Sequence, residues 1–95
     1  YKALFTNPAD VAIDEDGGII VADALNHCIR RISPDRTEVT TIAGVPAKFG
    51  WADAEDALSA LFSFPTRIAI DTHRHCIYIC DCHNNRIRKM ALKQR

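Results

Sequence analysis

Short apolar runs alternate along the chain with clusters of turn-forming residues. The runs cover residues 10–14, 19–22, 28–33 and 38–43, and a second set covers residues 68–71, 76–80 and 86–90. They are rich in Val and Ile and are four to six residues long, which favours strands over helices. Pairs such as Asp16-Gly17 and Pro34-Asp35, which are typical of tight turns, separate them. The pattern predicts antiparallel strands joined by short connections.

The second set of runs repeats the first. Phe5 and Pro8 correspond to Phe62 and Pro65, 57 residues later, and one inserted residue after Asp71 raises the offset to 58. A repeat of this length that is rich in β-branched residues predicts a repeated antiparallel β unit. Both faces of such a unit are apolar, so it needs neighbours, as a propeller blade does. The polar and turn positions that recur in both copies are Pro8, Asp14, Asp23, Asn26, Arg30, Pro65, Asp71, Asp81, Asn84 and Arg88.

We therefore predict an all-β chain that holds about two four-stranded antiparallel propeller blades. The first blade covers residues 1–44, with residues 1–7 as a linker remnant, and residues 45–64 form the inter-blade linker. The second blade covers residues 65–95 and is incomplete, because the sequence ends where a fourth strand would begin. Within the linker, Asp53 is a candidate N-cap, and the helix formers up to Leu61 predict a short helical turn.

The repeated residues resemble the NHL repeat. Its pattern of Pro-x-x-[Val/Ile]-Ala-Ile-Asp, a hydrophobic strand that ends in Asp, and Asn-[His/Asn]-x-Ile-Arg occurs at residues 8–14, 19–23 and 26–30, and again at 65–71, 77–81 and 84–88. The sequence departs from the pattern at Ala54 and at Arg74-His75, which replaces the glycine pair of the first hairpin. The resemblance implies a β-propeller, commonly of six blades, whose loops form binding surfaces. Members of the family include protein-interaction and RNA-binding modules, sensor domains and a minority of enzymes.

Charge and composition narrow the function. Twelve basic residues balance twelve acidic ones, which excludes a global field that would hold nucleic acid or an anionic membrane. No apolar run has the roughly 18 residues that a membrane-spanning helix needs. A local basic set leaves RNA binding as an alternative, although Tyr78 lies in mid-strand, where we expect it to pack. That set comprises Arg30, Arg31, Arg86, Arg88 and Lys89.

Cysteines and histidines concentrate in the second repeat. Cys80 and Cys82 are two residues apart on a predicted strand and His83 follows, so the three are weak candidates for a zinc site. The repeat aligns both thiols with alanines, Ala22 and Ala24, which favours small buried side chains and no metal or other cofactor. Four cysteines without a disulfide pattern indicate a reducing compartment, and we expect the cytoplasm.

Recurrence also decides how we interpret the acidic residues. An enzyme needs a catalytic group at one place, whereas every blade needs side-chain hydrogen bonds that stabilise its turns. The repeated Asp, Asn and Arg residues therefore predict hydrogen-bond networks at turns. The sequence contains no Gly-x-Ser-x-Gly, phosphate-binding glycine loop or HExxH motif, and we expect no enzyme activity. A part of a metal-dependent propeller enzyme stays as an alternative. In the linker, Phe49 and Trp51 are either packed on the blade edge or exposed as a partner contact.

The sequence thus predicts a non-catalytic binding or scaffold module that mediates protein–protein interaction. The apolar blade faces require further blades, supplied either by a longer parent chain or by association of copies. Since the sequence begins at Tyr1 rather than Met, we expect an excised fragment. Three associated copies would supply the six blades that the resemblance implies.

Overall fold

Seven strands form in the part of the chain that the structure describes. The computed structural model describes residue 5 and residues 7–45 and 61–92. Within each of two sheets, successive strands pair antiparallel, and the strand orders are β1-β2-β3-β4 and β5-β6-β7. The strands are β1 (Pro8–Ile13), β2 (Ile19–Asp23), β3 (Cys28–Ile32), β4 (Val39–Gly44), β5 (Pro65–Asp71), β6 (Cys76–Asp81) and β7 (Arg86–Ala91).

The two sheets confirm the predicted all-β architecture of antiparallel propeller blades. The helical segments in the described part of the chain are single 3₁₀ turns, Ala24–Asn26 and Cys82–Asn84, one in each sheet. None of them has the length and hydropathy of a bilayer-spanning helix. The helical turn predicted from Asp53 and the partner-contact residues Phe49 and Trp51 lie outside the described residues.

The hairpin between β1 and β2 is closed as its sequence predicts. The Asp14 N–H donates to the Gly18 carbonyl (2.9 Å), and Gly17 takes a φ of +88°. In the second sheet the corresponding hairpin has one more residue, and His75 takes the left-handed conformation with a φ of +50°. His75 therefore replaces Gly17 in the second hairpin and keeps a positive φ angle.

A network of short hydrogen bonds organises the turn between β3 and β4. The Ser33 hydroxyl donates to Asp35 Oδ1 (2.7 Å), and the Thr37 hydroxyl donates to the same oxygen (2.7 Å). These bonds stabilise the ionised carboxylate and lower the pKa of Asp35 to about 2.

Gly44 ends β4 where no side chain fits. Its φ is +83°, and a Cβ atom there would lie 2.7 Å from the His27 carbonyl oxygen and 3.0 Å from Phe62 Cδ2. Both the backbone conformation and the close approach of a neighbouring turn therefore require glycine.

The two sheets bury their apolar faces against each other. Ile20, Ala22 and Ile29 project from the first sheet and Ile77 and Ile79 from the second, all with no solvent exposure. Alternate residues of a strand point to opposite faces, so the neighbours of these residues face outward. The core therefore lies between the blades, and each sheet keeps one outer face.

Candidate functional site

A buried carboxylate stands at the end of the second strand of each sheet. Asp81 has no solvent exposure, and its Oδ2 accepts from Asn84 Nδ2 (2.7 Å) and Arg88 NH1 (2.9 Å). Its other oxygen accepts from the Ser63 N–H (2.7 Å). The three residue types that the sequence placed in a turn network thus meet around one carboxylate, which holds the 3₁₀ turn and the chain entering β5 together.

The first sheet repeats this arrangement with longer contacts. Asn26 Nδ2 lies 3.4 Å from Asp23 Oδ2, and Arg30 NH1 lies 3.7 Å from the same oxygen. The Arg30 guanidinium lies over the Phe5 ring at 5.7 Å, as that of Arg88 lies over the Phe62 ring at 4.9 Å. Asp23 is also fully buried, so neither carboxylate is open to a substrate.

The other repeated carboxylates, Asp14 and Asp71, accept hydrogen bonds within the hairpin that follows β1 or β5. Asp14 accepts from Arg31 Nε (2.6 Å) and from the Gly18 N–H (2.9 Å). Burial by itself would raise the pKa of Asp14, but these hydrogen bonds outweigh it and lower the pKa below its usual value. In the second sheet Asp71 pairs instead with Arg74, whose side chain is mostly exposed. Each repeated acid therefore has a local structural partner.

A hydrogen bond and a ring stack lie at the end of the sheets that carries the 3₁₀ turns. His27, at a φ of +55°, accepts the Phe64 N–H through Nδ1 (3.0 Å), and this bond crosses from the first blade to the second. The Phe64 ring stacks on His83 with a centroid distance of 4.8 Å and an interplanar angle of 15°. The bond to Phe64 uses the neutral form of His27, because a protonated Nδ1 has no lone pair to accept with.

Leu25 completes this end of the molecule. It is 49% exposed although it lies in a tight turn, and His83, its counterpart in the second repeat, is also exposed. We give the name turn surface to five residues of this end, of which Phe64 is half-buried and the others are exposed: Leu25, Phe64, Cys82, His83 and Asn85. Asp23 and Asp81 are fully buried at this end of the sheets, so the carboxylates of the turn networks do not contribute to the turn surface.

The cysteines differ from the expectation that they would be small buried side chains. Cys80 is half-buried and Cys82 is exposed, whereas the aligned Ala22 and Ala24 are both buried. Ala22 is covered by the second sheet, but the corresponding face of the second sheet has no further sheet against it in the described part of the chain. The expectation is therefore wrong for Cys82 and only partly met by Cys80.

A zinc site is not assembled from these residues. Strand β6 ends at Asp81, so Cys82 belongs to the 3₁₀ turn and does not share an extended strand with Cys80. Residues 7–45 and 61–92 contain no group of three His, Cys, Asp or Glu side chains placed to hold a metal ion. All four cysteines are free. Burial raises the pKa of Cys28 to about 11, and the charge of Asp23 adds to this shift.

The contact of Asp10 with the second blade could not be predicted from the repeat pattern. Asp10 aligns with Arg67, so it is not a recurring position. Its Oδ1 accepts the N–H of Val11 (3.0 Å), and its Oδ2 accepts the N–H of Ile68 in the second blade (2.9 Å). Only the juxtaposition of β1 and β5 in the folded chain makes this role visible.

Comparison with known proteins agrees with this geometry. Residues 5–32, which span β1 to β3, match the family model described as NHL repeat. This chain contains an NHL repeat. The second sheet reproduces the same strands and the same turn network, so the NHL-repeat fold continues through the described part of the chain. This fold supports a binding or scaffold module in general.

Three relatives show how much of a larger protein this NHL-repeat chain corresponds to. Protein SUPPRESSOR OF QUENCHING 1, chloroplastic, of Arabidopsis thaliana is 31% identical over 93 residues, covering 98% of this chain and 8% of that protein. A solved protein of unknown function from Bacteroides thetaiotaomicron has a TM-score of 0.86 at 30% identity, covering 94% of this chain and 22% of that one. An auxiliary nutrient binding protein from Bacteroides ovatus has a TM-score of 0.77 at 33% identity, covering 95% and 24%. The chain thus spans less than a quarter of each relative.

Proposed function

We propose that the chain is a non-catalytic module whose turn surface binds a partner protein. The observation that carries this proposal is the exposure of Leu25 in the 3₁₀ turn of the first sheet and of His83, its counterpart in the second, which stacks on Phe64. Protein interfaces typically place a few apolar or aromatic anchors at their centre with polar groups around them. The turn surface has this composition, with Asn85 and His83 as the polar groups. A nutrient-binding protein among the structural relatives supports a binding role in general.

Three of the five basic residues favour a protein over RNA as the partner, whereas Arg86 and Lys89 are exposed. Arg30, Arg31 and Arg88 each form an ion pair with an aspartate of their own sheet, and their side chains are at most 19% exposed. A cation that is paired inside a blade is not available to a phosphate backbone, on which RNA affinity depends. Balanced net charge acts in the same direction.

Affinity capture with the immobilised chain tests the proposal. Leu25→Asp should abolish capture of a partner protein, because it replaces an exposed apolar side chain of the turn surface by a charge, and His83→Ala should weaken it. Thr72→Asp is the matched control, since it adds the same charge at an exposed turn at the opposite end of the sheets. Capture that survives Leu25→Asp, or that nuclease treatment abolishes, would contradict the proposal. Trp51→Ala, assayed in parallel, tests the linker contact predicted from the sequence.

The absence of catalysis and the compartment are part of the same proposal. Metal analysis of the purified chain should give far less than one zinc per chain, and stoichiometric zinc would favour a metal-dependent enzyme instead. Free thiols at all four cysteines support a reducing compartment, which we propose is the cytoplasm. Cell fractionation tests this against the chloroplast, which is part of the name of the Arabidopsis relative.

A further inference from the structure

Phe64, a residue of the turn surface, has a backbone conformation that its side chain disfavours. Its φ is +60°, in the left-handed region that bulky residues rarely adopt. Pro65 follows it, and a residue that precedes proline prefers extended backbone. The counterpart of Phe64 in the first repeat is Asn7, which has the same φ of +60°. Because asparagine tolerates this conformation and phenylalanine does not, the second blade begins with a strained residue.

Contacts on both sides hold Phe64 in this conformation. Its N–H donates to Nδ1 of His27 (3.0 Å), and its ring stacks on that of His83. The preceding residue, Ser63, is fixed as well, since its N–H donates to Asp81 (2.7 Å) and its carbonyl accepts the N–H of His83 (3.1 Å). The hydrogen bond from His27 therefore acts on the one strained residue at a point where the chain before it is anchored.

The backbone of His27 is fixed by contacts within its own blade. Its N–H donates to the Ala24 carbonyl (3.2 Å), which closes the 3₁₀ turn. Its carbonyl oxygen lies so close to Gly44 that a Cβ atom on Gly44 would be 2.7 Å away. A change in the charge of the His27 ring should therefore displace Phe64 rather than the turn that carries the ring.

The two histidines that connect the blades respond to acid in opposite ways. Neutral His27 presents the Nδ1 lone pair to the Phe64 N–H, whereas protonation makes Nδ1 a donor, so that two donors face each other. At the opposite end of the sheets, Nδ1 of His75 lies 2.8 Å from Oε1 of Glu15. A protonated ring donates to a carboxylate more strongly than a neutral ring does. Protonation of the histidines therefore breaks the contact beside the turn surface and keeps the one between the hairpins while Glu15 is ionised.

Other charged and titratable groups surround the His27 bond. In the described part of the chain they are Asp23, Cys28 and Arg30 of the first blade and Asp81, His83, Arg86 and Arg88 of the second. Both carboxylates pair with an arginine, and burial raises the pKa of Cys28 to about 11, so this thiol stays protonated. Histidine is the residue type that ordinarily changes charge between about pH 5 and 8. His83 is therefore the group that an experiment has to separate from His27.

We propose that the protonation state of His27 controls the position of Phe64 and thereby the shape of the turn surface. Neutral His27 keeps Phe64 at its strained φ angle with its ring stacked on His83. Protonated His27 no longer offers an acceptor, so the strain moves Phe64 toward extended backbone and displaces its ring. His27 is thus a positioning residue. The consequence for partner binding rests on the function proposed above, whereas the movement of Phe64 does not.

NMR titration of the full chain from about pH 7.5 to about pH 5 is the first test. The protection factor of the Phe64 amide against hydrogen exchange should fall about five- to tenfold as the pH falls, the loss expected for one hydrogen bond. The Phe64 Cα and Cβ chemical shifts should move toward the values of extended backbone. A protection factor and chemical shifts that do not change with pH would overturn the proposal.

His27→Asn removes the titrating group and keeps the acceptor. The side-chain oxygen of asparagine can take the place of Nδ1, and asparagine is the residue that the second repeat has at this position, where Asn85 has a φ of +54°. The variant should therefore fold, protect the Phe64 amide at about pH 7.5 as the wild type does, and keep that protection at about pH 5. A pH response that persists in His27→Asn would refute the role of His27.

Two matched variants identify the titrating histidine. His83→Phe keeps a ring that stacks on Phe64 but does not titrate. His75→Asn removes the other histidine between the blades, at a residue that also has a positive φ, +50°. Both variants should show the wild-type response of Phe64 to pH. Loss of the response in either variant would assign control to another histidine and would contradict the proposal.

Partner capture at two pH values tests the consequence for the turn surface. A protein captured by the immobilised wild-type chain at about pH 7.5 should be retained at least about threefold less at about pH 5, and equally at both by His27→Asn. Absence of capture at every pH would contradict the proposed function, and the NMR titration would still decide the role of His27. Capture by the wild type that is independent of pH, together with a measured movement of Phe64, would refute the control of binding.

Discussion

Replacing Asp81 by Asn should strongly reduce the free energy of unfolding, because it removes the charge of a buried ion pair. Asp81 is fully buried and its partner Arg88 is about nine-tenths buried, at a distance of 2.9 Å. Removing one charge from such a pair leaves the other without compensation, at a cost of about 3–5 kcal/mol. A chain of this size has about 5–14 kcal/mol of stability in total. The variant should therefore fold, with a melting temperature lower by about 15–30 °C.

A double-mutant cycle measured by urea denaturation isolates the pair. Arg88→Met should cost about 2–4 kcal/mol, because Asp81 keeps its donors Ser63 and Asn84 while the bond to the Leu61 carbonyl is lost. The double variant should cost less than the sum of the single ones, with a coupling energy of about 2–3 kcal/mol.

The pair of Asp71 and Arg74 is the matched control for this cycle. Its charged atoms are 3.0 Å apart, almost the same distance, but the Arg74 side chain is 73% exposed. Solvent screens such a pair, so its coupling should be too small to measure. If the two cycles gave equal coupling energies, burial would not be what makes the Asp81 network strong, and the reasoning would be refuted.

Three further predictions concern single positions. Gly44→Ala should destabilise the chain by about 2 kcal/mol or more in thermal melts, because the backbone strain and the clash with the His27 carbonyl add. Gly17→Ala should cost about 1 kcal/mol from strain alone. Equal losses of stability would contradict the role of the His27 contact at Gly44. Iodoacetamide should label exposed Cys82 within minutes, while Cys28, buried and with a pKa raised to about 11, should react only on unfolding, as mass spectrometry would show. By NMR, Asp35 should titrate near pH 2; since its folded pKa lies below its unfolded value of 3.8, its contribution to stability is complete above pH 3.8 and is lost as the pH falls toward 2.

The fold could be predicted from the sequence because its signals are local. Alternating Val and Ile residues specify strands, and Asp16-Gly17 specifies a hairpin, without reference to distant residues. Repetition then indicated which acids serve turns, since Asp23 and Asp81 recur at the same place in each unit. The strand bounds agree with the predicted runs to within a few residues, and the largest difference is at β5, which begins at Pro65 rather than Ile68.

The burial of individual strand residues could not be predicted from the sequence, because it depends on which sheet packs against which. Cys80 and Ala22 occupy the same position of the repeat, yet only Ala22 is covered, because burial of a strand face requires a second sheet opposite it. Asp10 gained its role only where β1 meets β5, across 58 residues of chain. The amino-acid sequence by itself determined the strands, their turns and the repeated carboxylate networks, which are set by contacts between near neighbours. The tertiary structure alone decided which sheet faces are buried against each other and where His27, Phe64 and His83 meet, because these depend on the packing of one blade against the next.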